Sequence, residues 1–532
     1  MLDTKDLQKL IEPRLETLSS DEAVYKNACS RGLEEPLARV LSHRLDENVN
    51  LDPFLNPKLS LLDHYEDLID IDKAASRIAL AIVQQEVIAI ETDHDCDGQT
   101  SHAIILTSLL EAYGYPKEKI LSYIGHRMQE GYGLSDALTT RILEADILPD
   151  LVITADNGSS NQKNIARLKA KGIDVIVTDH HVLPKEGPPE DAYACVNPSR
   201  VDCQYADKAI AGCMVAWLVM VATWRYMEKN HQDLLQVKYN HTSLLDYVAV
   251  GTIADCVSMA TSINNRIVVR FGIRQMQKQL RPCWQALAQH LNIDTLDSGD
   301  LGFKVGPLLN SDGRLGDAFI AVEFLMARDS SLAKSYLDML VQSNQERREI
   351  EQAMTKEAKR MALSQVQEGK KSICVWMQSG HAGVHGISAS RVKDYVGRPC
   401  IIFSPKLHHE DLLTGSARSV DGIDMAKILA QLHHTNPGLM LQFGGHSGAA
   451  GLLIEKQNFE AFTNAFEEAV AQAAKDLLLG RVCQHDGPLD ARYFKQDFFQ
   501  KVQALGPYGR GFGAPVFHTS AIIEHLKPLG KT

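Results

Sequence analysis

The sequence predicts an α/β protein: a doubly wound parallel sheet domain joined by a long helix to a second α/β domain, followed by a partial β unit. Three observations carry that prediction. Short apolar runs alternate with helical stretches from about residue 61. Between Gly316 and Gly369 lie 52 residues with neither glycine nor proline. Beyond Gly369 the alternation resumes, and after Gly480 it gives way to turn residues. Strand–helix alternation implies right-handed crossovers, which place helices on both faces of a parallel sheet.

Residues 1–60 read as an N-terminal helical cap, short polar helices broken by Pro13, Pro36, Pro53 and Pro57. In the catalytic-domain candidate, 61–316, strands are expected at Val87–Ile90, 121–124, 151–154 and 175–178, with helices over 100–113 and 160–170. Ligands of such a sheet gather at the carboxyl ends of its strands. Residues 317–370 form the connecting helix, and 331–368 alone would reach roughly 57 Å at 1.5 Å per residue. The second unit, 371–480, has strands near 372–377, 400–404 and 412–416 and helices near 387–396, 424–433 and 457–477. Asp486-Gly487-Pro488-Leu489-Asp490 opens the last unit, 481–532, as a turn.

Composition narrows the classes. With 45% apolar and 23% charged residues in 532, the chain is an ordinary globular one with material for several cores. Fifty-five basic against 67 acidic residues give −12 with histidines neutral, which argues against a generic basic-patch nucleic-acid binder and leaves only a local groove. None of the ten cysteines forms a C-x-x-C pair, so zinc knuckles lose support and a reducing cytosol is expected. Met1 to Asp6 precede no apolar h-region, and the longest apolar run, Ala209–Ala222, is 14 residues, too short for a bilayer. A cytoplasmic protein with no membrane attachment is the expectation. Trp217 and Trp224 in and beside that run read as core residues.

The chemistry lies after the strands. Asp93-His94-Asp95-Cys96-Asp97-Gly98 follows the first, Asp156-Asn157-Gly158 the third and Asp179-His180-His181 the fourth. Gly251-Thr252-Ile253-Ala254-Asp255 adds a carboxylate after an apolar stretch. One aspartate after a strand is usually a turn or cap residue. Three such sites along one sheet edge are harder to dismiss, because clustered carboxylates raise one another's pKa unless a cation lies between them. A mixed Asp/His set favours a divalent ion such as Mn²⁺ or Mg²⁺. Two such ions can clamp a phosphate and activate water, so the set reads as a two-metal phosphoesterase.

These four segments resemble, in order and spacing, the motifs of the DHH phosphoesterases. The fuller similarity, from about residue 60 to about 520, is to the RecJ-type single-stranded-DNA exonucleases. It includes Gly131-Tyr132-Gly133-Leu134, Gly415-Ser416-Ala417-Arg418-Ser419 and Gly444-Gly445-His446. The resemblance implies a DHH-type catalytic domain, a DHH-associated nucleic-acid-binding domain and an incomplete OB-like unit after 480. It implies that Asp93 and Asp95 hold one ion, that Asp97, His180 and Asp255 hold a second, and that Asp156 bridges them. His181 would face the scissile phosphate as donor or acid. Arg127, Arg314, Ser416 and Arg418 would grip a 5′ phosphate, with His446 in the same DNA-binding set.

The implied activity is 5′→3′ exonucleolysis of single-stranded DNA to 5′-mononucleotides with two Mn²⁺ or Mg²⁺ ions, in repair and recombination. Single-stranded-DNA-binding protein and a helicase are the implied partners. Two alternatives stand beside it: a DHH phosphodiesterase of short oligoribonucleotides or cyclic dinucleotides, and a catalytically inactive DNA-binding relative. Leu505-Gly506-Pro507-Tyr508-Gly509-Arg510-Gly511-Phe512-Gly513 resembles the family's turn into an OB-fold. Phe494, Phe498, Phe499, Tyr508 and Phe512 are then either a base-stacking platform or a small core.

Overall fold

The structure, a computed structural model, describes residues 11–527 apart from 127–129, 236, 279, 312, 314–317, 408, 523 and 526. The chain divides into two compact units. One takes residues 19–344 together with those from 486 onward, and the other takes 345–485 together with those up to 18.

The strands are β1 (Arg14–Thr17), β2 (Ile88–Thr92), β3 (Ile120–Ile124), β4 (Leu151–Ala155), β5 (Asp174–Thr178) and β6 (Ala194–Val196). In the larger unit β3-β2-β4-β5-β6 form one sheet, every pair parallel. Strands β2 and β4 are buried along their whole length, which is why they read as unbroken apolar runs. Register sets the site: Thr92 lies opposite Ala155, and Ala155 opposite Thr178. The residues that follow, Asp93, Asp156 and Asp179, therefore leave the sheet at one level. Strand β6, three residues long, was too short to register as a sequence signal.

The first helix after β2 is Cys96–Thr107, starting earlier than expected because Asp95 caps it. Helix Gly212–Asn230 takes up most of the 14-residue apolar run and is buried on nearly all sides. Trp217 donates from Nε1 to the His241 carbonyl at 2.8 Å within this core. Among the described residues no helix is long and apolar enough to cross a membrane.

The expected connecting helix, 317–370, is not continuous: helix Phe319–Leu325 ends before a break, and helix Ser330–Gln367 follows with 38 residues, within one residue of 331–368 at each end. The smaller unit carries β7 (Ile373–Trp376), β8 (Cys400–Lys406), β9 (His409–Arg418), β10 (Gln442–Gly445) and β11 (Ala449–Glu455). Their order is β10-β11-β9-β8-β7, with β7 and β8 parallel and the other pairs antiparallel. The hairpin β10–β11 carries too many glycines to show a strand pattern in the sequence. Strand β12 (Val482–His485) pairs parallel with β1, so strand structure precedes the cap helices Glu22–Ser30, Glu35–Ser42 and Leu51–Leu55.

From Asp486 the tail folds onto the larger unit. It contains helix Gln496–Ala504 and the isolated bridges Pro488–His518 and Gly509–Phe512, with no strand among its described residues. Phe498 and Phe512 are buried, and Tyr508 stacks on Phe512 at 5.6 Å between centroids. Three of the five tail aromatics thus serve a core, whereas Phe494 and Phe499 remain 59% and 53% exposed.

Arg266, fully buried, fixes this tail. Its guanidinium lies 3.6 Å from the Phe54 ring centroid and 4.9 Å from that of Phe512. It donates to the carbonyls of Leu505 at 2.6 Å, Gly506 at 3.3 Å and Pro507 at 3.2 Å. Burial lowers its pKa to about 9. Arg266→Met should cost about 3 kcal/mol in urea unfolding, because several buried carbonyls lose their donor. Arg266→Lys should recover little of it, since an ammonium cannot fork to three carbonyls in this plane.

Candidate metal centre at the carboxyl edge of the sheet

Local chemistry aims each acidic side chain. Asp95 is the N-cap of helix Cys96–Thr107 and accepts from the amides of Asp97 at 3.0 Å and Gly98 at 3.2 Å. Asp97, one residue into that helix, accepts from the amides of Gly212 at 2.7 Å and Cys213 at 3.0 Å. Those are the first amides of the buried helix, so the Asp97 carboxylate sits at a second helix N-terminus, where backbone dipoles favour a negative charge. Asp156 leaves β4 at φ 62°, a left-handed conformation that aspartate tolerates better than most residues. Asp255 follows the last turn of helix Leu245–Ala254.

Two glycines make room. A Cβ on Gly212 would lie 2.7 Å from Asp156 Oδ1. One on Gly251 would meet Thr100 Oγ1 and lie 2.7 Å from Asp97 Oδ1.

The ligand-type atoms converge in three groups, each within 4.8 Å: Asp93, Asp95 and Asp156; Asp97, His180 and Asp255; and Asp156, His180 and His181. His180 Nε2 lies 3.2 Å from Asp156 Oδ1, 3.6 Å from Asp255 Oδ2 and 3.9 Å from Asp97 Oδ2. All seven residues singled out after the strands and at Asp255 are thus brought together. Asp93 Oδ2, Asp156 Oδ1 and His180 Nε2 are buried yet make no hydrogen bond among the described residues. Buried polar atoms without partners are rare unless something else bonds them. Oxygen donors with one or two imidazole nitrogens fit a hard or borderline divalent cation.

Electrostatics point the same way. Burial first, then the neighbouring carboxylates, push Asp95 up to about 6 and Asp255 up to about 8. Asp156 is raised well above its ordinary value by the same causes. Burial lowers His180 and keeps its imidazole neutral, the form that binds a metal.

His181 stands apart from this behaviour. Its Nδ1 lies 2.8 Å from Asp179 Oδ1, and that bond raises its pKa to about 9. Burial works against ionisation of Asp179, but bonds from His181 and Ser159 outweigh it and hold the carboxyl below the usual range. The other ring nitrogen, Nε2, is 3.2 Å from the Tyr132 hydroxyl. A cavity of about 540 Å³ opens here, lined among others by Asp93, His94, Asp95, Tyr132 and Asn310.

Sequence reasoning assigned no role to Asp179, although it stands in the same triplet as the two histidines. It gave no role to Tyr132, although that residue stands in one of the matching segments, and it passed over Glu91 within β2. Glu91 is fully buried, is raised to about 8 by burial, and accepts from Asn157 Nδ2 at 3.3 Å. A glutamate inside an apolar strand was the available signal.

In the smaller unit, Arg418 Nη1 donates to Ser416 Oγ at 3.1 Å and to the Ala417 carbonyl at 2.8 Å, while Nε donates to Ser390 Oγ at 3.2 Å. Gly386 gives the guanidinium room, since a Cβ there would meet Nη2. Ser416 and Arg418 therefore form one directly bonded pair. His446 is exposed, and its Nδ1 accepts from the Gly448 amide at 3.2 Å. Arg127 and Arg314 lie outside the described residues.

The profile of the DHH family, N-terminal domain, matches residues 87–252, and that of the DHHA1 domain matches residues 369–472. The chain is 35% identical over 500 residues to the single-stranded-DNA-specific exonuclease RecJ of Haemophilus influenzae, covering 93% of this chain and 84% of that one. It is 34% identical over 463 residues to RecJ of Escherichia coli, covering 85% and 78% respectively. Among solved structures, RecJ in complex with Mn²⁺ from Thermus thermophilus superposes with a TM-score of 0.76 at 26% identity, over 96% of this chain and 70% of that one.

Two outcomes follow from the geometry. Gly251→Ala should displace the Asp97 carboxylate and lower the rate of metal-dependent turnover about 100-fold, the cost of a misplacement near 1 Å. Far-ultraviolet circular dichroism should stay unchanged. The second outcome concerns pH. Without metal, Asp255 and Asp156 have folded pKa values above the unfolded value of about 3.9. The stability they leave intact below pH 4 is lost as pH rises, levelling off beyond about 8 for Asp255. Metal binding requires the deprotonated ligands and strengthens over the same window. The melting-temperature gap between Mn²⁺-loaded and EDTA-treated protein should therefore widen from pH 5 to pH 8.

Proposed function

The chain belongs to the RecJ-type single-stranded-DNA-specific exonucleases, and from that membership we propose that it degrades single-stranded DNA 5′→3′, releasing 5′-mononucleotides. The observation that carries the proposal is the interlocking of the acidic groups: Asp156 contributes to two of the three clusters, and so does His180. Asp93, Asp95 and Asp156 would hold one divalent ion, Mn²⁺ or Mg²⁺. Asp97, His180 and Asp255 would hold the other, with Asp156 between them. Bound there, the two ions supply Lewis acidity toward the phosphodiester and a lowered pKa for the attacking water.

The protein's own residues do the rest. Asp97 is held by two backbone amides at a helix N-terminus, where the dipole favours its negative charge. His181, charged through its bond to Asp179, presents an Nε2 proton toward Tyr132 and the cavity. It is placed to donate to a phosphate oxygen or to protonate the leaving 3′ oxygen. The Ser416–Arg418 pair offers a hydroxyl and a guanidinium to a terminal 5′ phosphate, a charge-assisted pairing with planar geometry. Arg127, Arg314 and His446 complete the proposed DNA-contacting set.

An exonuclease that takes only single strands depends on other proteins to expose them. A helicase and single-stranded-DNA-binding protein are the partners proposed, in the cytoplasm, in repair and recombination.

Asp156→Ala should abolish hydrolysis in Mn²⁺ while single-strand binding largely survives. Residual turnover above a few per cent at saturating Mn²⁺ would contradict the shared-ligand arrangement. Arg418→Ala should erode the advantage of 5′-phosphorylated over 5′-hydroxyl strands by one to two orders of magnitude in kcat/KM. A charge-assisted contact of roughly 1.5–3 kcal/mol corresponds to that range. Strands labelled at either end, compared with duplex, RNA and cyclic dinucleotides, test polarity and substrate together. Release from the 3′ end, or preference for the small substrates, would sink the reading.

A further inference from the structure

The glycine-rich turn of the tail has no part in the chemistry above, yet it is packed on the segment that follows Asp255. Gly509 and Phe512 bond each other's backbones at 3.0 Å and 3.1 Å, leaving Arg510 and Gly511 at the tip of a tight turn. Gly511 has φ 76°, the left-handed value that the third position of a type II turn requires.

The tip is docked on the segment that follows Asp255. The Met259 amide donates to the Arg510 carbonyl at 2.8 Å. A Cβ on Gly509 would lie 2.7 Å from Met259 Cγ, and one on Gly511 would lie 3.2 Å from both Ala260 Cβ and Ser258 Oγ. Behind the tip, the Tyr508 amide donates to Ser298 Oγ at 2.9 Å, and Arg266 holds the three preceding carbonyls. The backbone at Arg510 is therefore fixed by packing on both sides.

Its side chain is not. Arg510 is exposed, and its guanidinium makes no hydrogen bond or ion pair among the described residues. The turn thus carries an uncommitted cation to the segment that follows Asp255, beside a centre rich in carboxylates. In a chain of net charge −12, that centre would otherwise repel a polyanion.

We infer that Arg510 is a phosphate-binding residue, delivered by the C-terminal turn to the Asp255 side of the metal centre, where it holds a backbone phosphate of the single strand beside the scissile one. The inference rests on the nuclease activity proposed above. A guanidinium on a rigid turn loses less entropy on pairing than one on a mobile loop, and it contacts phosphate without reading sequence.

The test is steady-state hydrolysis of a 5′-phosphorylated oligodeoxynucleotide in Mn²⁺ over a series of salt concentrations, for wild type, Arg510→Ala and Arg510→Lys. Activity of the wild type reports on the nuclease reading itself. Given that activity, Arg510→Ala should raise KM about tenfold with kcat little changed. Its slope of log KM against log salt should fall by about 0.7, the loss of one phosphate contact on a single strand. Arg510→Lys should restore the slope and part of the affinity. An unchanged KM and slope in Arg510→Ala overturns the inference. So does a defect that lysine fails to rescue and that comes with a lowered melting temperature, because it would mark a packing role for the turn.

Discussion

The larger unit is arranged around one electrostatic problem: several carboxylates must occupy a small buried volume without expelling one another as protonated acids. At an effective dielectric of 20, two charges 4 Å apart repel by about 4 kcal/mol, and five aspartates meet here. The fold answers with fixed partial charges. Asp95 is capped by the amides of its own helix and Asp97 by the first amides of another, so each lies at a helix N-terminus. Gly251, on helix Leu245–Ala254, lets that helix approach both of them, at Thr100 and Cys213, while Gly212 leaves room for Asp156, so that Asp156 and Asp97 each come within reach of a common His180. Burial first, and then the remaining repulsion, raise the pKa values of Asp95, Asp156 and Asp255, and together they are the protein's demand for cations.

The sheet register is subordinate to that demand. A one-residue slip of β4 against β2 would move Asp156 to another level and turn its neighbours to the opposite face. Both strands are buried on both faces, so the slip is opposed by the whole apolar core and the carboxylates inherit that precision. This explains why a site of mutually repelling groups can stand on a parallel sheet: its geometry is stabilised by Ile88, Ile90, Leu151 and Ile153, none of which takes part in the chemistry.

Legibility of the sequence follows the range of the interactions. Asp93, Asp95 and Asp97 lie within one turn of chain, and Asp156 and His180 each follow a strand whose apolar run is plain. Their convergence could be read because a parallel sheet sends all strand ends to one edge. Glycine concealed the hairpin β10–β11, since Gly444, Gly445 and Gly451 carry no side-chain period to read. The pairing of β1 with β12 joins residues more than 460 positions apart and has no local signature. The tail aromatics were ambiguous for a related reason: a stacking platform and a small core use the same residues, and only the position of Arg266 between Phe54 and Phe512 decides for the core.

His181 shows most clearly what proximity in the chain conceals. It is adjacent to His180, and the two rings are only 4.5 Å apart, yet their pKa values move in opposite directions. The difference lies in one residue. Asp179 turns back on its own strand end, takes the amides of His180 and His181, and bonds the His181 ring. That leaves His180 neutral, facing the carboxylates with an unpartnered nitrogen, and His181 charged, facing the cavity through Tyr132. Two identical side chains are thereby set in opposite protonation states, one a neutral ligand-type base and the other a charged donor. The triplet Asp179-His180-His181 is therefore one device, in which the aspartate sets the protonation state of the second histidine and the backbone sets the direction of the first.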